Sequence, residues 1–339
     1  MFRRWLGIGL GATATLAALA IAPWAGTAET PSRTIALAVA PVGNAWRAAM
    51  LESWQRAAAA ALQDGRITGA PMHAASANTV AAEAAQIAAL IAEHPAAIVV
   101  DAGSPSALNG AVRQACTAGI VVVSFDGIVT EPCAYRLRYD FRKLGAIELA
   151  ALAQRLPAGG DLLEVRGVGN SDLDQAIHEG VAAAVAARPA VHVVASIHGN
   201  WSRGDAAAAA TSVLSLLPRI DGVITQGGDA LGVADAFAAA GRPMPTIILG
   251  NRAEELAWWK QRRDADGYRT LSVAPSPAIA GLAFWIAELI LDGADVPHDL
   301  TAPFLAVEDG DLDRALAAAT GGFYSRDYTQ ADAEQIAGH

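Results

Sequence analysis

From residue 34 onward the chain alternates short apolar runs with longer stretches whose apolar positions recur every three or four residues. The runs at 35–40, 97–101, 120–125, 161–165, 191–197, 222–225, 246–249 and 270–273 have the length of strands. The periodic stretches at 45–63, 78–93, 106–118, 141–155, 172–187, 203–217, 229–240, 252–262 and 277–291 are rich in alanine and predict helices. Strand and helix in strict succession predict an α/β protein with parallel sheets covered on both faces. The number of units exceeds one small sheet, which leaves two doubly wound domains or a single barrel.

Breaks in the rhythm favour two domains. "CAYRLRYD" (133–140) alternates like a crossing strand and runs straight into a helix at Phe141. The proline-broken pieces "TLSVAPSP" (270–277) and "VPHDLTAPFLAV" (296–307) suit two further crossings. Three crossings make a hinge between two Rossmann-like lobes. One lobe is expected over 29–139 plus about 276–304, the other over 140–275 plus about 305–339.

The first 28 residues read as a signal peptide: Arg3 and Arg4, an apolar core from Leu6 to Ala22, then Gly26-Thr27-Ala28 as the cleavage site. The breaker Pro23 argues against a membrane anchor. Export places the two cysteines, Cys116 and Cys133, in an oxidising compartment where they are expected to pair. The chain has 339 residues, a net charge of −10 and no basic block that could follow a phosphate backbone, so nucleic acid is not an expected partner.

In open parallel sheets, ligands bind outside the carboxyl ends of the strands. Those ends carry Asn44, Trp46 and Arg47; Asp126; Asp172 and, one turn on, Asp174; Trp201; Gln226 and Asp229; and Asn251 with Arg252. Amides and carboxylates satisfy vicinal hydroxyls, and an indole covers the C–H face of a sugar or polyol. Each residue also has a plainer reading. Trp46 continues the Met50–Trp54 helical stripe, and Asp126, Asp172 and Asp229 each stand just before a helix, where a carboxylate caps. "GVGN" (167–170) lacks the third glycine of a dinucleotide loop, and no nucleophile elbow, P-loop or metal-ligand spacing of histidines occurs. The expectation is a binding protein without cofactor or metal, not an enzyme.

At these residues the chain resembles the periplasmic sugar-binding proteins of the ribose-binding class. The resemblance rests on "IALAVAPVGNAWRAAM", "AAIVVDAGSPSALNGAVRQACTAGIVVVSFDG", "RGVGNSDLDQAIHEGVAAAV" and "IDGVITQGGDALGVADAFAAAG", and it runs from Thr34 to about Val307. It implies the type I periplasmic binding fold: two lobes that close on a sugar-like solute and present it to the permease of an ABC importer. It also implies a monomer in the periplasm. It aligns the family's first-loop asparagine with Asn44, its stacking rings with Trp46 and Trp201, its aspartate with Asp126 and a later polar tip with Asn251. The pattern departs at Gly127 and Ile177, where arginines are expected, at Gly227 for an asparagine, and at Pro275 for a glutamine. Loss of arginines opens the pocket to a polyol, a modified sugar or an amine-bearing solute. Docking to a chemoreceptor or sensor kinase is the alternative role. The tail 308–339 is either a helix packed on one lobe or part of the cleft rim, where Trp258 and Trp259 could receive Phe323 or Tyr324.

Overall fold

The computed structural model describes Met1 and residues 33–40, 45–77, 79–169 and 171–338. The body of the segment read as a signal peptide, and Asn44, lie outside the described residues. The first lobe opens with β1 (Ile35–Val39), α1 (Ala45–Gln63), β2 (Met72–Ala74), α2 (Val80–Ala92), β3 (Ala97–Val100), α3 (Asn109–Thr117), β4 (Val121–Phe125) and β5 (Tyr135–Arg138). The second lobe follows with α4 (Phe141–Arg155), β6 (Gly160–Arg166), α5 (Asp172–Ala186), β7 (Val191–His198), α6 (Arg203–Leu214), β8 (Gly222–Thr225), α7 (Ala230–Ala239), β9 (Thr246–Ile247), α8 (Ala253–Asp266) and β10 (Ser272–Ala274). The chain then forms α9 (Ile279–Leu291), β11 (Asp299–Thr301), β12 (Leu305–Val307), α10 (Leu312–Ala318) and α11 (Gln330–Ala337).

Six strands in the order β11-β5-β4-β3-β1-β2 form the first sheet, all parallel, with Leu37 beside Val99 and Val99 beside Val123. Alternation along each strand divides the core. Ile35, Leu37 and Val39 meet Met50, Trp54 and Phe284 on one face, while Ala36, Ala38, Ile98 and Val100 meet Ile87, Leu90 and Val112 on the other. The second sheet, β7-β6-β8-β9, is likewise parallel. Leu163, Val165 and Val223 pack on Phe237 and Trp259, and Leu162 and Ile224 on Leu144, Leu152 and Ile177.

Three local readings change. The edge strand β2, only "MHA" and largely solvent-facing, carries no apolar run that could announce it. The run at 246–249 is a strand only over Thr246–Ile247. The run at 270–273 becomes β10, which pairs antiparallel with β12 rather than extending the parallel sheet. Cys116 and Cys133 are joined in a disulfide between α3 and the segment before β5.

The tail departs from the expected boundary. β12 and α10 stay with the second lobe, α10 on α8. Tyr328, Ala333 and Ala337, however, belong to the core of the first lobe, and the Trp285 indole N–H donates to the Tyr328 carbonyl at 2.9 Å. Residues 328–337, placed by sequence on the second lobe, therefore pack on α9 of the first. The small side chains Ala333 and Ala337, one turn apart, let α11 lie close on that helix. The chain thus passes between the lobes four times, not three. All four passages meet around Tyr139. Its ring stacks on Phe304 at 5.2 Å, and its hydroxyl donates to the Ser276 carbonyl and accepts from the Ser276 N–H, both at 2.9 Å. Ser276 in turn reaches Ser325 of the tail, hydroxyl to hydroxyl, at 3.2 Å.

Candidate functional site

The carboxyl ends of both sheets face a cleft of about 460 Å³. From the first lobe come Trp46 and Arg47 at the start of α1, and Asp126 after β4. Trp46 is half-buried and does two things at once: part of its ring packs against the first-lobe core, and part lines the cleft.

Asp126 sits at a left-handed backbone position (φ 56°), which turns the chain sharply off β4. The next residue must be glycine. A Cβ at Gly127 would stand 2.2 Å from the Ala102 carbonyl oxygen, so the arginine of the ribose-binding pattern has no room here. Behind Asp126 lies Asp101, buried, accepting from Arg47 at 3.2 Å and from the Gly127 N–H at 3.4 Å. Burial and the charge of Asp101 push the Asp126 carboxyl up to about 7, against the pull of Arg47. Asp101 was not among the sequence candidates. Its position at the end of β3 was the available signal.

The second lobe supplies Trp201, held by a relay of buried and half-buried polar groups. Asn200 and Trp201 both take left-handed backbone angles (φ 55° and 56°), and the indole lies flat against Gly167. A Cβ at Gly167 would come within 2.2 Å of the ring. The indole N–H donates to Gln226 Oε1 at 3.2 Å, and the same oxygen accepts from the Gly167 N–H at 3.0 Å. Gln226 Nε2 donates to Asp174, at 2.9 Å to Oδ1 and 3.4 Å to the carbonyl. Asp174 is clamped by Arg166 at 2.6 and 3.2 Å and by the Gly167 N–H at 2.9 Å. Burial opposes the charge on Asp174, but Arg166, Gln226 and Gly167 together hold its carboxyl below the usual range. Gln226 touches the cleft, yet both its oxygen and its nitrogen are committed to the relay.

The structure separates the remaining sequence candidates. Asn251 and Arg252 line the cleft with Trp201 and Gln226, whereas Asp172, Asp174 and Asp229 do not. Asp172 is exposed and faces a separate hollow with Arg166, Gln175 and His198, because the helical turn that aims Leu173 and Ile177 at the cleft rotates Asp172 away. Asp174 lies inside the relay. Asp229 is fully buried behind the Gly227–Gly228 loop, where burial and the charge of Glu255 push it up to about 8. Glu255, equally buried, is pushed up to about 7 by burial.

Asn251 is anchored by the tail. Its Nδ2 donates to the Tyr324 carbonyl at 2.8 Å and to the Pro275 carbonyl at 3.4 Å, which leaves Oδ1 as the acceptor it can offer. The Arg252 guanidinium lies 5.5 Å from the centre of the Phe323 ring, and Phe323 itself lines the cleft. Of the two roles left open for the tail, it has both: rim at Phe323 and packed helix at α11. Trp258 and Trp259 lie in the second-lobe core, against which Tyr324 rather than Phe323 packs, and Trp258 is edge-on to Tyr268. Sequence reading also passed over Phe141, Leu144 and Leu173 as lining residues, because apolar positions near a helix start look like core.

Among relatives, the xylitol-binding protein of Mycolicibacterium smegmatis is 27% identical over 244 residues, 70% of this chain and 68% of the relative. A solved ABC transporter solute binding protein from Thermobispora bispora is 31% identical, with a TM-score of 0.72 over 90% of this chain and 94% of the other. A solute binding protein from Bacillus halodurans with bound myo-inositol is similar in fold, with a TM-score of 0.68 at 17% identity over 86% of this chain and all (100%) of that one. The periplasmic binding protein domain matches residues 35–295, from the first strand to just beyond α9, and the chain belongs to that family.

Proposed function

We propose that this protein is a solute receptor that closes its lobes on a sugar or sugar-like polyol and presents it to the permease of an ABC importer. The observation that carries this reading is the pairing of Trp46 and Trp201, from opposite lobes, across one cleft that also holds Asp126 and Asn251. Two ring faces cover the C–H surfaces of a polyol, while the carboxyl and the amide oxygen accept from its hydroxyls. A ligand that touches both lobes favours the closed state by its differential contacts, which is how such a receptor signals occupancy. The xylitol-binding relative and the inositol-bound neighbour support a polyhydroxylated ligand. Residues 1–28 act as the export signal, the mature protein works as a monomer in the periplasm, and it needs no cofactor.

A thermal-shift screen of the purified mature chain against pentoses, hexoses, pentitols, inositols and amines tests this. A ligand supplied at 100 times its dissociation constant adds about 2.7 kcal/mol to stability. A screen in which only amines, or no polyhydroxylated compound, stabilise the fold would sink the proposal.

A further inference from the structure

Among the described residues, one wall of the cleft is lined by apolar side chains alone. It is built by the first turns of α4 and α5, which present Phe141, Leu144, Leu173 and Ile177. Two glycines bring these helices together at backbone distance: a Cβ at Gly145 would lie 2.3 Å from the Ile177 carbonyl oxygen, and one at Gly180 2.0 Å from that of Arg142. The contact locks the four apolar side chains into a single ledge, with Phe141 and Leu173 half-buried and Leu144 and Ile177 nearly fully so.

Several of the polar groups at this end of the helices are engaged elsewhere. Asp140 caps the Lys143 N–H at 3.1 Å, Arg142 pairs with Glu179, Ser171 caps Asp174, and Asp174 is held by Arg166. The polar groups of the cleft, Asp126 with Arg47 and Asn251 with Arg252, come from other elements. Among the described residues, a hydroxyl set against the ledge therefore finds no side-chain partner, at a cost of about tenfold or more in affinity. A methyl in the same place gains about fourfold for each buried carbon.

We propose, building on the reading of the cleft as a sugar or polyol site, that the solute is amphipathic. It carries a deoxygenated end, a methyl or short alkyl group, that seats on the Phe141–Leu144–Leu173–Ile177 ledge. Its hydroxyls point toward Asp126 and Asn251.

Titration calorimetry on the mature chain tests this with matched pairs: xylitol and 1-deoxyxylitol, D-galactose and D-fucose, L-mannose and L-rhamnose, and the methyl, ethyl and propyl β-D-xylosides. The deoxy member of the best-binding pair is expected to bind at least about fivefold tighter than its parent. Ile177→Asn is expected to remove or reverse that preference, and Leu173→Gln, at a half-buried position, serves as the second variant should Ile177→Asn fail to fold. Tighter binding of the parent in every pair overturns the ledge assignment while leaving the polyol reading intact. An unchanged preference in the folded variants also overturns it. A panel in which no compound binds overturns both readings.

Discussion

Gln226 reaches the cleft wall with both polar ends bonded within the protein, so its expected role is to support Trp201 rather than to contact the ligand. Replacing it with methionine keeps the length and bulk and removes the polar ends. The indole N–H then loses its 3.2 Å acceptor, while the Gly167 N–H keeps Asp174 at 2.9 Å and Asp174 keeps Arg166. The bonds of Gln226 to the indole, to the Gly167 N–H and to Asp174 are all lost; because Gly167 and Asp174 keep other partners, the net cost is about 2 kcal/mol of stability, or a drop of about 4 °C in melting temperature for a domain of this size. The ring must also be immobilised anew when ligand binds, at about 0.5–1.5 kcal/mol. Gln226→Met is thus expected to weaken binding about fivefold. Trp201→Phe, which keeps a ring but lacks the N–H, is expected to fall in the same range. The decisive measurement is the double variant, titrated calorimetrically with the tightest-binding polyol of the screen. If Gln226 acts only through the indole, the double variant is no weaker than the worse single one, and the coupling is about 1 kcal/mol. Additivity within about 0.3 kcal/mol would show that Gln226 contacts the ligand independently, and would refute the relay.

Three other outcomes follow from charge and covalent structure. Because the Asp126 carboxyl titrates at about 7, a hydroxyl that donates to its ionised form should bind about tenfold more tightly at pH 8 than at pH 6; Asp126→Asn should flatten this dependence, and an unaltered profile in that variant removes Asp126 from the site. Asp229 and Glu255 have folded values raised to about 8 and 7, so the folded state holds their protons longer than the unfolded chain does. Their contribution is fully present below the unfolded value near pH 4 and is lost as pH rises toward 8, so urea melts should show falling stability over that window and a shallower fall in Asp229→Asn; an identical slope counts against the pair. The 17-residue separation of Cys116 and Cys133 predicts a loss of about 3 kcal/mol in the double serine variant, and two reactive thiols in the native protein would contradict the bond.

The alternating lobes were readable because strands buried on both faces leave uninterrupted apolar runs, and "IALAV" and "AIVV" are buried at every position. Strand-end logic also located Trp46, Asp126, Trp201 and Asn251, since a parallel sheet aims all its carboxyl ends one way. It could not say which polar tips face solvent, ligand or one another. Gln226 lies 52 residues from Asp174, so the bond that joins it to the Asp174–Arg166 pair exists only after folding. Asp229 looked like a helix cap but makes no capping bond. The apolar ledge was hidden for the opposite reason: its residues satisfy the period of a core helix, and they form one cleft wall only because two glycines bring α4 and α5 together at backbone distance. The returning tail left no periodic signal, because α11 spans eight residues and packs through alanine.

That returning helix bears on the order in which the molecule can be assembled. The core of the first lobe draws on α1 near one end of the chain, on α9 from beyond residue 278, and on Tyr328, Ala333 and Ala337. No amino-terminal fragment of this chain carries that core complete. One face of the lobe whose strands come first in the chain therefore stays uncovered until α9 and α11 are in place, whereas the second lobe is built from a continuous stretch apart from β12 and α10. The opposite face of the same sheet, against α2 and α3, is built wholly from residues 36–134 and needs neither late helix.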